Sequence, residues 1–141
     1  MIRPLALCLA LSALPALAQD DVASLYEVST EGSTPSFKAG QKGKLVIELR
    51  TKGGAHIKGE TPMKIELSGK DVTPEKTTLG YKDSVSKKTA GKEFPDPRFE
   101  VALSGAAPAK GQVDAKLTFF VCTDKLCSKQ SKTLALPVEV Q

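Results

Sequence analysis

Apolar and polar residues alternate in several short stretches of this chain. In MKIELSG (63–69), Met63, Ile65 and Leu67 fall on one side and the residues between them on the other. A period of two is typical of a β-strand with one buried and one solvated face. The same alternation predicts strands in KGKLVIELRT (42–51), RFEVALSG (98–105), QVDAKLTFFV (112–121) and TLALPVEV (133–140), and more weakly in SLYEVST (24–30).

Turn residues separate these strands at short intervals, and no long amphipathic helical pattern interrupts them. A series of short strands within about 120 residues predicts an all-β fold, namely an immunoglobulin-like antiparallel β-sandwich. Phe120 should face outward, because it is one residue beyond the inward-facing Phe119. The most buried residues should be the apolar mid-strand ones, above all Ile47, Ile65, Val101, Phe119 and Leu136.

The stretch 71–97 between these strands is polar and basic. It predicts a short strand around Thr77–Tyr81, followed by a long loop. Long loops are uncommon in compact domains and are often functional. A surface excursion without a function is the other interpretation.

The amino terminus reads as a secretory signal peptide. Arg3 precedes an apolar run over residues 5–17, and Ala16-Leu17-Ala18 forms a cleavage signal of small residues. Residues 1–18 are therefore predicted to be removed, which leaves 19–141 as a single periplasmic or secreted domain. The apolar run is too short to span a bilayer comfortably, so no membrane span is expected after cleavage.

Charge and composition argue against several classes of function for this protein. The formal net charge is +4, and the charges are dispersed, which argues against nucleic-acid binding. The chain has 1 histidine, so a Ser–His–acid triad would depend on His56 alone. Without a glycine-rich phosphate loop or informative carboxylate pair, neither a cofactor nor a bound metal is expected, and the protein is predicted to be a monomer.

The cysteines carry the candidate chemistry. Cys8 leaves with the signal peptide, so Cys122 and Cys127 remain as a pair in an oxidising compartment, where a disulfide is expected. The residues TDKL between them predict the turn of a β-hairpin, which can bring the two Cα atoms within bonding range. Alternation along the preceding strand places Cys122 away from the main core.

Three interpretations of the pair remain open. In the chain-entropy model, so small a loop contributes only about 2 kcal/mol, which favours a redox-active pair over a purely structural staple. Lys125 and Lys129 would favour a reactive thiolate. A metal site would add His56 and Met63, soft ligands that suit copper. Neither is near the cysteines in sequence, and a lone histidine such as His56 more often makes a structural hydrogen bond.

Two stretches carry a resemblance to a known family. FFVCTDKLCSKQSKTLALPVEV (119–140) resembles the amino-terminal periplasmic domain of the thiol:disulfide interchange protein DsbD, in which a short turn between two cysteines joins two strands. GGAHIKGETPMKIELSG (53–69) is similar to the family's G-x-HI…P segment, carried here by Gly54, His56, Ile57 and Pro62. The resemblance extends over most of residues 25–140.

The resemblance implies an immunoglobulin-like domain with catalytic Cys122 and Cys127. It assigns the attacking thiol to Cys127 and the resolving thiol to Cys122. The implied partners are periplasmic or membrane thiol–disulfide proteins, from which the pair receives electrons and to which it passes them. Family members shield the pair with an aromatic loop, but DSVSKKTAG (83–91) has no aromatic residue, and Tyr81 and Phe94 only flank it. The alternative is a non-enzymatic immunoglobulin-like binding module with a structural disulfide.

Overall fold

The computed structural model describes residues 22–86 and 94–141. The predicted signal peptide, residues 1–18, lies outside these residues. A single turn of 3-10 helix, Tyr81–Asp83, separates β6 from β7. The strands in chain order are β1 Tyr26–Ser29, β2 Ser36–Phe37, β3 Lys42–Thr51, β4 Lys64–Lys70, β5 Thr73–Pro74, β6 Thr78–Leu79, β7 Arg98–Ser104, β8 Ala109–Cys122 and β9 Cys127–Val140.

The strands form two sheets that pack face to face. The first sheet has the order β1-β3-β7-β5 and the second the order β2-β9-β8-β4-β6. Neighbouring strands are antiparallel, except that β2 runs parallel to the end of β9. Ile47 and Phe99 from the first sheet and Ile65 and Phe119 from the second belong to one core cluster. The predicted all-β, immunoglobulin-like sandwich is confirmed.

Strand β9 is where the alternation pattern was least informative. β3 has the predicted bounds, and β1, β4, β7 and β8 lie close to theirs. In contrast, β9 begins at Cys127 and not at Thr133. Its first half, CSKQSK, is mostly polar, because it lies at the margin of the sheet where little apolar surface is buried. Alternation detects a strand by its buried face, so it misses a strand that buries little.

Most of the predicted core is correct. The exposed fraction is 1% for Ile47, 0% for Ile65, 4% for Val101 and 0% for Phe119. Leu136 is the exception, since it is only partly buried against the core. Its strand has a neighbour on the outer side only at its very end, so its core-facing side chains lie at the rim of the sandwich.

The polar stretch 71–97 contains more structure than the predicted single strand and loop. β6 lies within the predicted strand, and β5 and the 3-10 turn flank it. The Asp83 carboxylate closes the turn, accepting hydrogen bonds from the Gly80 N–H at 2.8 Å and from Lys76 Nζ at 3.2 Å. The prediction of a loop over residues 87–93 falls outside the described residues.

Candidate functional site

The two cysteines lie at the tip of the long β8–β9 hairpin. The strands pair in register along their whole lengths, and the Cys122–Cys127 pair is the last one before the turn. In the turn, the Thr123 N–H donates to the Leu126 carbonyl at 2.8 Å. A disulfide joins Cys122 to Cys127, whose Cα atoms are 4.0 Å apart. The predicted cysteine bond at a hairpin tip is therefore present.

The two cysteines differ in exposure. Cys122 has 0% of its surface accessible, whereas Cys127 is exposed. Cys122 lies outside the main core cluster and on the opposite face from Val121, as the alternation predicted. Its complete burial was not predicted, because the segment that flanks it is remote in sequence. From solvent, Cys127 is accessible and Cys122 is not.

That flanking segment contains His56. The His56 N–H donates to the Cys122 carbonyl at 2.9 Å, and the Cys122 N–H donates to the His56 carbonyl at 2.8 Å. The two residues form a hydrogen-bonded antiparallel pair, so their side chains project from the same face of the sheet. Cys127 is paired with Cys122 on its other side. His56, Cys122 and Cys127 form a row across one face at the hairpin tip, called here the tip row.

Two glycines bring His56 to the tip row. β3 belongs to the first sheet and ends at Thr51, whereas His56 pairs with a strand of the second sheet. Gly53 and Gly54 lie between them with φ angles of 59° and 80°. Glycine adopts this left-handed region without the steric cost that a Cβ atom brings. The glycine pair is visible in the sequence, but the strand to which it directs His56 is not.

The His56 ring packs against an aromatic residue. It stacks on Phe94 with ring centroids 4.8 Å apart and an angle of 14° between the planes. Its Nδ1 atom is 3.5 Å from the Gly54 carbonyl oxygen, and its Nε2 atom is buried without a hydrogen-bond partner in the described part of the chain. The ring's polar contact is thus the 3.5 Å approach to the Gly54 carbonyl, whereas the two bonds to Cys122 are made by the backbone. Phe94, which in the sequence only flanks the loop, lies beside the tip row.

A shallow groove opens on the same face of the sheet as the disulfide. Phe120 and Cys122 are two residues apart on β8, as are Lys129 and Cys127 on β9, so all four side chains share this face. The groove has a volume of about 300 Å³. It offers an apolar surface with positive charge at its margin. Its lining residues are Pro62, Met63, Lys64, Thr118, Phe120 and Lys129.

Within the described residues, the cationic side chains of the tip form no ion pair with a carboxylate. Neither Lys125 nor Lys129 takes part in an ion pair with any residue in 22–86 or 94–141. Lys129 is two residues from Cys127 on the same strand face. The positive charge that the sequence predicted beside the pair is therefore present and available.

The fold brings together only part of the metal alternative. His56 pairs with Cys122, whereas Met63 packs against the core cluster. Among the described residues, no group of three or more His, Cys, Asp or Glu side chains is arranged to hold a metal ion.

Comparisons with other proteins do not identify a family for this chain. No protein-family model matches the chain, and no curated protein matches it. Over the described ranges, no helix has the length and apolar character needed to cross a bilayer. The hypothesis about function therefore depends on the geometry of the hairpin tip.

Proposed function

We propose that this protein is a secreted or periplasmic thiol–disulfide exchange module that uses the Cys122–Cys127 pair. One observation carries the proposal, namely the unequal exposure of the two cysteines. Cys122 has no accessible surface, and Cys127 is exposed at the end of a hairpin. A disulfide that exchanges with other proteins needs one sulfur that a partner can reach and another that acts as leaving group and resolving thiol.

The exchange starts at Cys127. A thiolate of a partner dithiol attacks the Cys127 sulfur, so that a mixed disulfide forms and the Cys122–Cys127 bond breaks. Cys122 leaves with the bonding electron pair and takes up a proton, and the His56 imidazole lies beside it on the same face. The partner's second thiol then attacks the partner sulfur of the mixed disulfide and releases Cys127. The partner dithiol becomes a disulfide, and two electrons and two protons pass to the cysteine pair.

Energetics support this use of the bond. The pair joins residues only 5 apart in sequence, so the chain-entropy model assigns it about 2 kcal/mol of stability. The core cluster of the sandwich lies on the other side of the sheet and does not include Cys122. Reducing the bond should therefore leave the sandwich folded, as a redox cycle requires.

The surroundings of the pair also fit contact with another protein. The half-buried Phe120 lines the groove on the same face as the disulfide. Leu126, in the turn immediately before Cys127, is 56% exposed. Exposed apolar side chains around a reactive group provide a surface on which a partner can dock.

The test is reduction of the folded protein. We expect dithiothreitol to reduce the pair while the circular dichroism spectrum stays that of a β-protein. The reduction potential measured from this equilibrium with dithiothreitol should lie above about −300 mV. Structural disulfides typically lie below that value. After reduction, Cys127 should alkylate faster than Cys122 near neutral pH, as mass spectrometry of the separate peptides can measure. Lys129 favours the Cys127 thiolate, and burial protects Cys122.

A substitution pair sharpens the test. Cys122→Ser should accumulate a mixed disulfide with a dithiol protein, because the attacking thiol remains and the resolving one is absent. Cys127→Ser is the matched control and should accumulate much less, since its remaining thiol is buried. If the pair cannot be reduced without unfolding the domain, the disulfide is structural, and the protein is a non-enzymatic binding module.

A further inference from the structure

In the part of the chain that the structure describes, the outer edge of β9 is open beside the disulfide. β8 pairs with β9 along its whole length on one side. On the other side, β2 pairs only with Glu139 and Val140. No other strand within residues 22–86 and 94–141 borders β9. The edge from Cys127 to the proline at position 137 is therefore unpaired in the described structure.

The backbone groups that face this edge can be assigned from both ends of the strand. At the base, the N–H groups of Glu139 and Gln141 donate outward, to the carbonyls of Pro35 and Phe37. Backbone direction alternates along a strand, so every second residue back from Glu139 also presents its N–H and C=O groups outward. The residues of this outward series are Cys127, Lys129, Ser131, Thr133 and Ala135.

The tip gives the same assignment independently. Both backbone groups of Cys122 are bonded to His56 and point away from β9. Cys122 and Cys127 are thus a non-hydrogen-bonded pair, in which the backbone of Cys127 points away from β8 and toward the open edge. Pro137 belongs to the outward series as well, and its missing N–H removes no hydrogen bond to β8.

The charge along the edge indicates what could pair there. The stretch CSKQSKTLAL, residues 127–136, has lysines at positions 129 and 132 and no acidic residue. Lysines on an edge strand oppose pairing with a second copy of this chain, because like charges would meet across the new pair. Lys129, on the outer face, attracts a strand that carries carboxylates, whereas the Lys132 ammonium lies over the Tyr26 ring on the core-facing side, 6.0 Å from the ring centroid.

We propose that the open edge of β9 receives an extended, acidic segment of the partner thiol protein as an additional strand, with the partner's cysteine beside Cys127. The inference rests on the proposed exchange function. The added strand would extend the tip row, so that its cysteine follows His56, Cys122 and Cys127 across one face. The partner sulfur then approaches Cys127 along the direction of the disulfide, which is the path an attacking thiolate takes as the Cys122 sulfur leaves.

The test compares two reductants of the oxidised full chain by stopped-flow kinetics. One is a synthetic ten-residue dithiol peptide in which Glu and Val alternate around its cysteines, and the other is dithiothreitol, which forms no strand. Ser131→Pro removes one outward N–H and leaves the hydrogen bonds to β8 intact, and Ser131→Ala is its matched control. Loss of one backbone hydrogen bond corresponds to a rate decrease of about five- to tenfold. We expect this decrease for Ser131→Pro with the peptide alone.

Two further comparisons leave the strand backbone of the protein unchanged. Lys129→Glu should slow reduction by the acidic peptide and speed reduction by a peptide that has Lys in place of Glu. Lys38 is an exposed lysine beside β2, so the control variant Lys38→Glu should change neither rate. N-methylation of the peptide at alternate residues removes the N–H groups that would pair with β9. The methylated peptide should therefore reduce the protein no faster than dithiothreitol does. These effects would disappear if the peptide reached Cys127 without pairing to β9.

The outcomes separate the two proposals. If dithiothreitol does not reduce the folded chain, the exchange function itself is wrong. If dithiothreitol reduces it, but Ser131→Pro, Lys129→Glu and N-methylation change no peptide rate, the exchange function stands and strand addition is wrong. A dimer of the wild-type chain in sedimentation equilibrium that Ser131→Pro dissociates would assign the edge to a second copy, and would also overturn the proposal.

Discussion

The two ends of the β8–β9 hairpin are built from the same strands but are held in different ways. At the base, β4 and β2 flank the hairpin, and Val113 and Val138 are 1% and 2% exposed within the core cluster. At the tip, one neighbour is reduced to the His56 bridge and the other is absent in the described structure. A disulfide holds the outer face there, while Val121 still packs in the core cluster on the inner face.

This difference separates stability from chemistry within one hairpin. Burial of apolar side chains stabilises the base, and its contribution, about 25 cal/mol per Å² of apolar surface, is spread over many contacts. On its outer face, where Cys122 lies outside the core cluster, the tip is held by one covalent bond and one hydrogen-bonded bridge. A change of redox state at the tip can therefore leave the base intact.

The largest effect should come from the core-facing side of β8, which is buried along the hairpin up to the tip. Phe119→Ala should lower the free energy of unfolding by about 3–5 kcal/mol, because it leaves a cavity in the core. Phe120→Ala is the matched control, since Phe120 is half-buried on the opposite face, and it should cost clearly less. Urea denaturation of both variants measures the difference. Equal costs would mean that the two faces of β8 are not distinct in energy.

An intermediate effect should come from the turn that directs His56 to the tip. Gly54→Ala places a Cβ atom at a φ of 80° and should cost about 1 kcal/mol. Gly80→Ala is the control, because Gly80 has an extended φ of −124° that any residue adopts. In the reduced protein, Gly54→Ala should also speed alkylation of Cys122 by loosening the bridge that flanks it. An unchanged alkylation rate alongside the loss of stability would show that this bridge does not protect Cys122.

The smallest effect should come from pH and should not depend on the redox state of the tip. Hydrogen bonds from Arg50, at 2.8 Å, and from Arg98, at 2.9 Å, hold the pKa of Glu48 below its usual value. A lowered pKa in the folded state contributes stability that is present above the unfolded pKa and lost as pH falls through the folded value. Wild type should therefore lose more stability than Glu48→Gln on acidification from neutral pH to below pH 4.

The control for this pH effect is a comparison of the oxidised with the reduced protein. Glu48 is on β3 of the first sheet, whereas the disulfide is in the second. Oxidised and reduced wild type should show the same decrease with acid, as thermal melts across the pH range can measure. A decrease confined to one redox state would mean that the tip, and not Glu48, titrates.

The sequence determined the fold class and the inward face of most strands. Alternation located β3, β4, β7 and β8 because each buries one full face against the opposite sheet, and a buried face restricts every second residue to apolar types. It also placed Phe119 inward and Phe120 outward. The bond between Cys122 and Cys127 followed from their position around a short turn. These are local features, determined by residues close to one another in the chain.

Only the tertiary structure decided how the tip is built. The bridge from His56 to Cys122 joins residues that are far apart in sequence, and it depends on a glycine turn that crosses between the sheets. The polar first half of β9 gave no alternation, because an open edge does not require apolar side chains. Leu136 was expected to be buried and lies at the rim for the same reason. Burial and accessibility at an edge depend on which neighbours a strand has, and pairing between distant segments determines those neighbours.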